Sequence, residues 1–154
     1  MNNLIAVTIG DINGIGIRIL INAWKKKRIR KFVLYTNQKI FENFLKKEKI
    51  ILSLNIVNQN LQNFNYQNDK FNIFSYKSNS KVENTYMSLN YAYNSCVKNI
   101  CIGILTLPLR KDLIIKKIDK NFVGHTEYFQ KIDNKKYSNM ILFHKKIIIS
   151  PITT

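Results

Sequence analysis

Leu4-Ile5-Ala6-Val7-Thr8-Ile9-Gly10-Asp11-Ile12-Asn13-Gly14-Ile15-Gly16 opens the chain with an apolar run, a glycine-rich bend and the start of an amphipathic stretch that reaches about Lys27. A strand from Leu4 to Ile9 that turns through glycine into a helix is the first unit of an α/β fold. Glycines let the backbone bend sharply and approach a ligand, and the start of a helix favours an anion. The spacing is neither GxGxxG nor GxxxxGK[ST]. Taken alone it fits a tight turn as well as a ligand loop.

Outward from that stretch the pattern repeats, as in a parallel sheet covered by helices. Strands are expected at Phe32 to Thr36, Leu54 to Val57, Phe71 to Ser75 and Cys101 to Thr106, the last as a buried strand. Helices are expected at Gln38 to Lys47, Lys111 to Ile118 and Thr126 to Ile132. Ser80 and Glu83 have capping-box spacing ahead of a helix from about Lys81 to Lys98, whose apolar stripe reads Val82, Tyr86, Leu89, Tyr93 and Cys96. Eight of the twelve residues from 58 to 69 are Asn or Gln, which makes a loop. Met140 to Phe143 and Ile147 to Ile152 read as two strands joined by a turn at His144 to Lys146. With no internal repeat and no linker-like boundary, residues 1–154 read as a single α/β region. The apolar strand runs almost to Thr154, so the chain is expected to be the front part of a longer protein.

The chain has 154 residues and a formal net charge of +16. Such a charge suits anionic partners, but Lys outnumbers Arg 21 to 4 and the lysines are scattered. Asn, Ile and Lys supply 67 of the residues against five Gly and three Ala, which reads as compositional drift. A nucleic-acid module would instead use Lys25, Lys26, Lys27, Arg28, Arg30 and Lys31 with Trp24 and Phe32 as stacking partners; nucleic acid is the less expected partner. No membrane span or signal peptide is read, so the expected location is cytoplasmic. Cys96 and Cys101 lack redox or zinc spacing and read as reduced thiols.

Two further segments can carry chemistry. Thr106-Leu107-Pro108-Leu109-Arg110-Lys111 follows a strand, where ligands of open α/β sheets gather. Gly124-His125-Thr126-Glu127 meets a helix start, where Thr126 can cap, Glu127 complements the positive end and His125 can reach a polar ligand.

In order and spacing, Gly10-Asp11-x-x-Gly14-Ile15-Gly16, Thr106-x-Pro108-x-x-Lys111, Gly124-His125-Thr126-Glu127 and Thr153-Thr154 resemble the PdxA family of 4-hydroxythreonine-4-phosphate dehydrogenases, over about the N-terminal half of that family's length. The resemblance implies a three-layer α/β/α fold like the isocitrate and isopropylmalate dehydrogenases, in a homodimer with its active site between subunits. It implies NAD- or NADP-dependent oxidation of the C3 hydroxyl of 4-phosphooxy-L-threonine to a 3-oxo acid that decarboxylates to 3-amino-2-oxopropyl phosphate, in pyridoxal phosphate biosynthesis. A divalent metal, Zn, Mg or Co, would polarise the reacting oxygen. His125 and Thr126 match the substrate-binding pair, with Asp11 and Lys111 as supporting positions near the site. The family's first metal histidine falls directly after Thr154, so the metal ligands are expected outside this chain. Ile12 and Ile17 stand where that family has Pro, Arg18 where it has an acid and Leu107 where it has a small residue; the lost prolines would loosen the turn and Leu107 would crowd the strand end. An inactive remnant of such an enzyme is the alternative.

Overall fold

The computed structural model describes residues 3–58 and 64–151, so the expected strand end at Ile152 and the Thr153-Thr154 pair lie outside the described residues. Two compact units divide at Lys120 and Asn121.

The first unit is built on five parallel strands: β1 (Leu4–Thr8), β2 (Phe32–Thr36), β3 (Leu54–Val57), β4 (Phe71–Ser75) and β5 (Cys101–Thr106), in the order β3-β4-β2-β1-β5. Helices α1 (Ile15–Lys25) and α2 (Gln38–Lys47) pack on one face and α3 (Lys81–Val97) on the other; α4 (Lys111–Lys117) follows β5. The face under α1 and α2 gathers Val7, Ile17, Leu20, Phe32, Leu34, Phe41, Phe71 and Ile73. The opposite face gathers Leu4, Ala6, Val33, Tyr35 and Phe74 against Ala92 of α3. Alternate residues of each strand therefore feed different cores, and β-branched and aromatic residues on both sides are why the strands read as near-continuous apolar runs. This is the expected three-layer arrangement.

Three expectations about burial are corrected. β5 is an edge strand with Ile102 and Leu105 exposed, because among the described residues only β1 pairs with it. The buried face of α3 is Asn84, Thr85, Ser88, Leu89, Ala92 and Ser95, while Val82, Tyr86, Tyr93 and Cys96 of the expected stripe are only partly buried. Small and polar side chains with internal partners bring the helix close to the sheet, and periodicity of apolar residues does not register them. Phe32 is buried in the core edge-on to Phe71, and Trp24 is half-buried, edge-on to Phe71 with the Arg30 guanidinium 6.0 Å from its ring centroid. Cys101 is buried and Cys96 half-buried; burial pushes the Cys101 thiol up to about 11, so neither thiol behaves as a ready nucleophile.

In the second unit α5 (His125–Ile132) is followed by an antiparallel hairpin of β6 (Leu142–His144) and β7 (Ile147–Ile149). His144 belongs to β6, not to the turn, and the hairpin strands are exposed instead of core, since two strands alone cannot cover one another. Among the described residues no helix is long and apolar enough to cross a membrane.

Four helices end in one geometry. Lys27, Lys49, Asn99 and Asn134 have positive φ, with Lys27 N donating to Trp24 O and Arg28 N to Ala23 O, and matching pairs after the other three. This is the Schellman arrangement, in which the left-handed residue is ordinarily glycine. Lys at that position strains the backbone, in keeping with a composition that has drifted away from glycine. Lys49→Gly is expected to stabilise the chain by about 1 kcal/mol, read as a midpoint shift in urea denaturation.

Candidate functional site

Every strand of a parallel sheet ends on the same side, and β1 lies between β2 on one flank and β5 on the other. The crevice beyond the carboxyl ends of β1 and β5 is where the strand order reverses and where ligands of such sheets bind. The loop after β1 is the glycine bend and the loop after β5 is Thr106-Leu107-Pro108.

These two loops lie against each other. Gly10 has φ +61, and Asp11 N donates to Pro108 O at 2.8 Å. A Cβ on Gly10 would stand 2.5 Å from Pro108 O, and one on Gly16 would stand 2.9 Å from Pro108 Cδ. The missing side chains admit Leu107, which is buried between them, so the crowding expected of that leucine is relieved. Ile12 and Ile17 are fully buried, and they anchor the bend in the core where the expectation had it loosened. Asp11 closes the turn, with Oδ1 accepting from Asn13 N at 3.0 Å and its carbonyl from Gly14 N at 2.9 Å. Thr85 of α3 donates to Gly10 O at 2.6 Å. Arg18 donates to the carbonyls of Asn13 and Gly14 and forks onto both oxygens of Glu48, whose carboxyl it holds below the usual range. Arg18 thus fastens the far side of the bend to the end of α2.

A cleft of about 330 Å³ opens between this bend, the start of α3 and α4. Asp11, Lys81, Thr85, Arg110, Ile114 and Lys117 line it, so three cations face one carboxylate. Lys81 Nζ donates to Asn13 Oδ1 at 3.3 Å, and Arg110 is partly neutralised by a bidentate pair with exposed Asp112. The net positive lining favours an anionic ligand. Asp11 lines this cleft. Lys111 does not: it is exposed on the first turn of α4 and is not among the lining residues. Lys81 and Lys117 went unread in the sequence because nothing separates two useful lysines from 19 others. Arg110, one of only four arginines and next to the quoted Lys111, was the readable one.

His125 and Thr126 are the first two residues of α5, in the second unit. Gly124 is the N-cap in an extended conformation, and no side chain caps the helix, which corrects the capping role expected of Thr126. Glu127 does lie in the first turn. Phe122 and Tyr128, with ring centroids 5.9 Å apart, pack beside this turn and fix its start. His125 Nε2 is buried without a hydrogen-bond partner, and Thr126 is exposed. A buried ring nitrogen left unmatched costs free energy until a ligand satisfies it. Burial also lowers the His125 pKa below its ordinary 6.5. The folded value lies below the unfolded one, so this contribution to stability is complete above pH 6.5 and fades as pH falls through the folded value. The imidazole is neutral at pH 7, and its proton resonances are expected to titrate with a midpoint below 6.5; a midpoint above it contradicts the burial.

Among the described residues no group of three or more His, Cys, Asp and Glu side chains could hold a metal ion.

Residues 27–154 match the family described as "Pyridoxal phosphate biosynthetic protein PdxA". A curated 4-hydroxythreonine-4-phosphate dehydrogenase from Sulfurihydrogenibium sp. is 28% identical over 159 residues, covering 97% of this chain and 49% of that relative. The crystal structure of 4-hydroxythreonine-4-phosphate dehydrogenase from Klebsiella pneumoniae superposes with a TM-score of 0.83 at 18% identity, over 96% of this chain and 50% of that one. The corresponding structure from Burkholderia phymatum gives 0.77 at 14% identity, over 97% and 49%. At those identities the superpositions speak for the fold. The chain spans about half the length of these relatives.

Proposed function

The chain belongs to the PdxA family, and from that premise we propose that it serves the oxidation of 4-phosphooxy-L-threonine in pyridoxal phosphate biosynthesis, working as a homodimer. The C3 hydroxyl loses its proton and the C3 hydrogen leaves as hydride, so the product is a 3-oxo acid. That acid loses CO2 to give 3-amino-2-oxopropyl phosphate. NAD or NADP, when bound, accepts the hydride.

The family match over residues 27–154 carries this reading. Support comes from the chain's own polar groups. His125, neutral and with a buried unmatched Nε2, offers a directional hydrogen bond to a substrate oxygen. Thr126, beside it on the first turn of α5, adds a hydroxyl and a helix start that favours negative charge. Lys81, Arg110 and Lys117 attract a phosphorylated molecule toward the cleft of the first unit, where Asp11 can accept from a substrate ammonium or hydroxyl.

The test is nicotinamide reduction by the purified protein as its cells make it, given 4-phosphooxy-L-threonine and a divalent cation. Turnover is expected, and His125→Ala and Thr126→Ala are each expected to lower kcat/KM by about tenfold or more, as one lost hydrogen bond to a polar substrate does. No reduction of either nicotinamide by the unsubstituted protein overturns the reading.

A further inference from the structure

Lysines that lie scattered along the sequence are gathered by the fold. In a parallel sheet with helical crossovers each helix ends where the next strand begins, so the C-termini of α1, α2 and α3 share one end of the first unit, opposite the glycine bend. Lys25, Lys26, Lys27, Arg28, Arg30 and Lys31 stand there within seven residues. Lys46, Lys47 and Lys49 close α2, Lys98 follows α3 and Lys70 precedes β4. All of these but Arg30 and Lys70 are exposed. The carboxylates of this end are Asp69 and Glu48, and Glu48 is taken by Arg18.

The helix macrodipole favours a cation or two in a last turn, but not six in succession after α1. Lys27, Lys31 and Lys49 also hold positive φ, where glycine or asparagine folds at less cost, so three strained positions at this end keep a charge in place of the easier residue. Unpaired cations in such number are not laid against an apolar surface. This end therefore meets water or an anion, whatever else the chain contacts.

The shape and chemistry of the end indicate the anion. Five strands about 4.8 Å apart make it roughly 19 Å wide. Over that width a nucleic-acid duplex carries about 11 phosphates, about half of them facing one side. Lysine is a flexible point charge suited to phosphate and not to reading base edges. Among the described residues no aromatic side chain of the first unit is exposed to stack on unpaired bases; Trp24, at the end of α1, is half-buried with Arg30 over its ring. A lipid surface would call for an apolar face to insert, whereas Ile51 and Val97, the exposed large apolar residues here, stand on separate connections.

We infer that this end of the first unit binds the phosphate backbone of duplex nucleic acid, without sequence preference. The inference goes beyond the dehydrogenase reading and does not rest on it.

Fluorescence anisotropy of a labelled DNA duplex of about 20 base pairs tests it, over a series of salt concentrations from about 50 mM upward. Log affinity is expected to fall against log salt with a slope of about −5, that of six phosphate contacts. Lys25→Gln, Lys26→Gln and Lys27→Gln together are expected to weaken binding about 30-fold and to flatten the slope by about 3. Lys39→Gln, Lys77→Gln and Lys111→Gln remove the same charge from the opposite end of the sheet and are expected to change affinity by less than about threefold. Lys27→Gly with Lys49→Gly supplies the residue that these helix ends favour, so it should raise the urea midpoint while weakening binding about tenfold, a loss that misfolding does not explain. Equal weakening by the two triple variants means that net charge alone drives binding, and overturns the inference. Absence of duplex binding in about 50 mM salt overturns it too, as does capture by phosphatidylserine vesicles with none by the duplex.

Discussion

Gly10→Ala is expected to destabilise the chain by about 3 kcal/mol, combining the cost of a left-handed alanine with displacement of a packed backbone. At φ +61 an added Cβ stands 2.5 Å from Pro108 O and 2.9 Å from the Leu107 carbonyl carbon, both main-chain atoms that cannot rotate away. The loop after β5 would have to leave the bend after β1, and with it would go the Asp11 N to Pro108 O hydrogen bond. For a protein of this length the loss lowers Tm by roughly 10 °C. Gly103→Ala is the control: a Cβ there meets nothing within 4 Å, and its melting point should stay within about 2 °C of the parent. Equal Tm for the two variants contradicts the packing of the two loops.

Asn84→Leu is expected to cost about 3 kcal/mol, since it removes two hydrogen bonds of a fully buried amide and leaves the part-buried Asn37 N without its acceptor. Asn84 is fully buried on α3; its Oδ1 accepts from Asn37 N at 2.7 Å and its Nδ2 donates to Thr36 Oγ1 at 3.1 Å. Asn37 in turn caps α2 by accepting from Ile40 N and donates through Nδ2 to Tyr76 O. One amide therefore ties the end of β2, the start of α2 and the start of α3. Urea denaturation measures the loss, and a change under about 1 kcal/mol means that water replaces the amide without cost.

This asparagine also shows where reading the residues stops. The strands β2, β3 and β4 and the helix α2 fall on the residues that alternation and apolar spacing pick out, because local pattern and tertiary burial agree there; β5 falls on its expected residues too, though its burial does not follow. The inner face of α3 is polar and small, and no rule of apolar spacing distinguishes a buried Asn84 or Ser88 from a solvated one until the sheet is in place. The helix ends at Lys27 and Lys49 hide for a related reason: the geometry is that of glycine, but the residue is the commonest cation of the chain. The exposure of β6 and β7 was equally illegible, since an apolar strand reads as core whether its cover is its own domain or another molecule.

The candidate site divides in the same way. Gly10, Asp11 and Gly14 were legible because a strand, a glycine bend and a helix in succession leave few alternatives. His125 was legible as one of two histidines, set at a helix start. Arg110 lines the cleft, and Lys111, next along the chain, does not. Lys81 and Lys117 acquire meaning only from the cleft that brings them near Asp11.

The central proposal is that the His125-Thr126 helix start binds a phosphorylated substrate. Amide and side-chain NMR shifts of the labelled chain, followed while 4-phosphooxy-L-threonine is added, test it most directly. The account predicts that resonances of His125 and Thr126 move along one saturating curve, and that His125→Ala weakens the response at Thr126. No shift at either residue at millimolar ligand contradicts it.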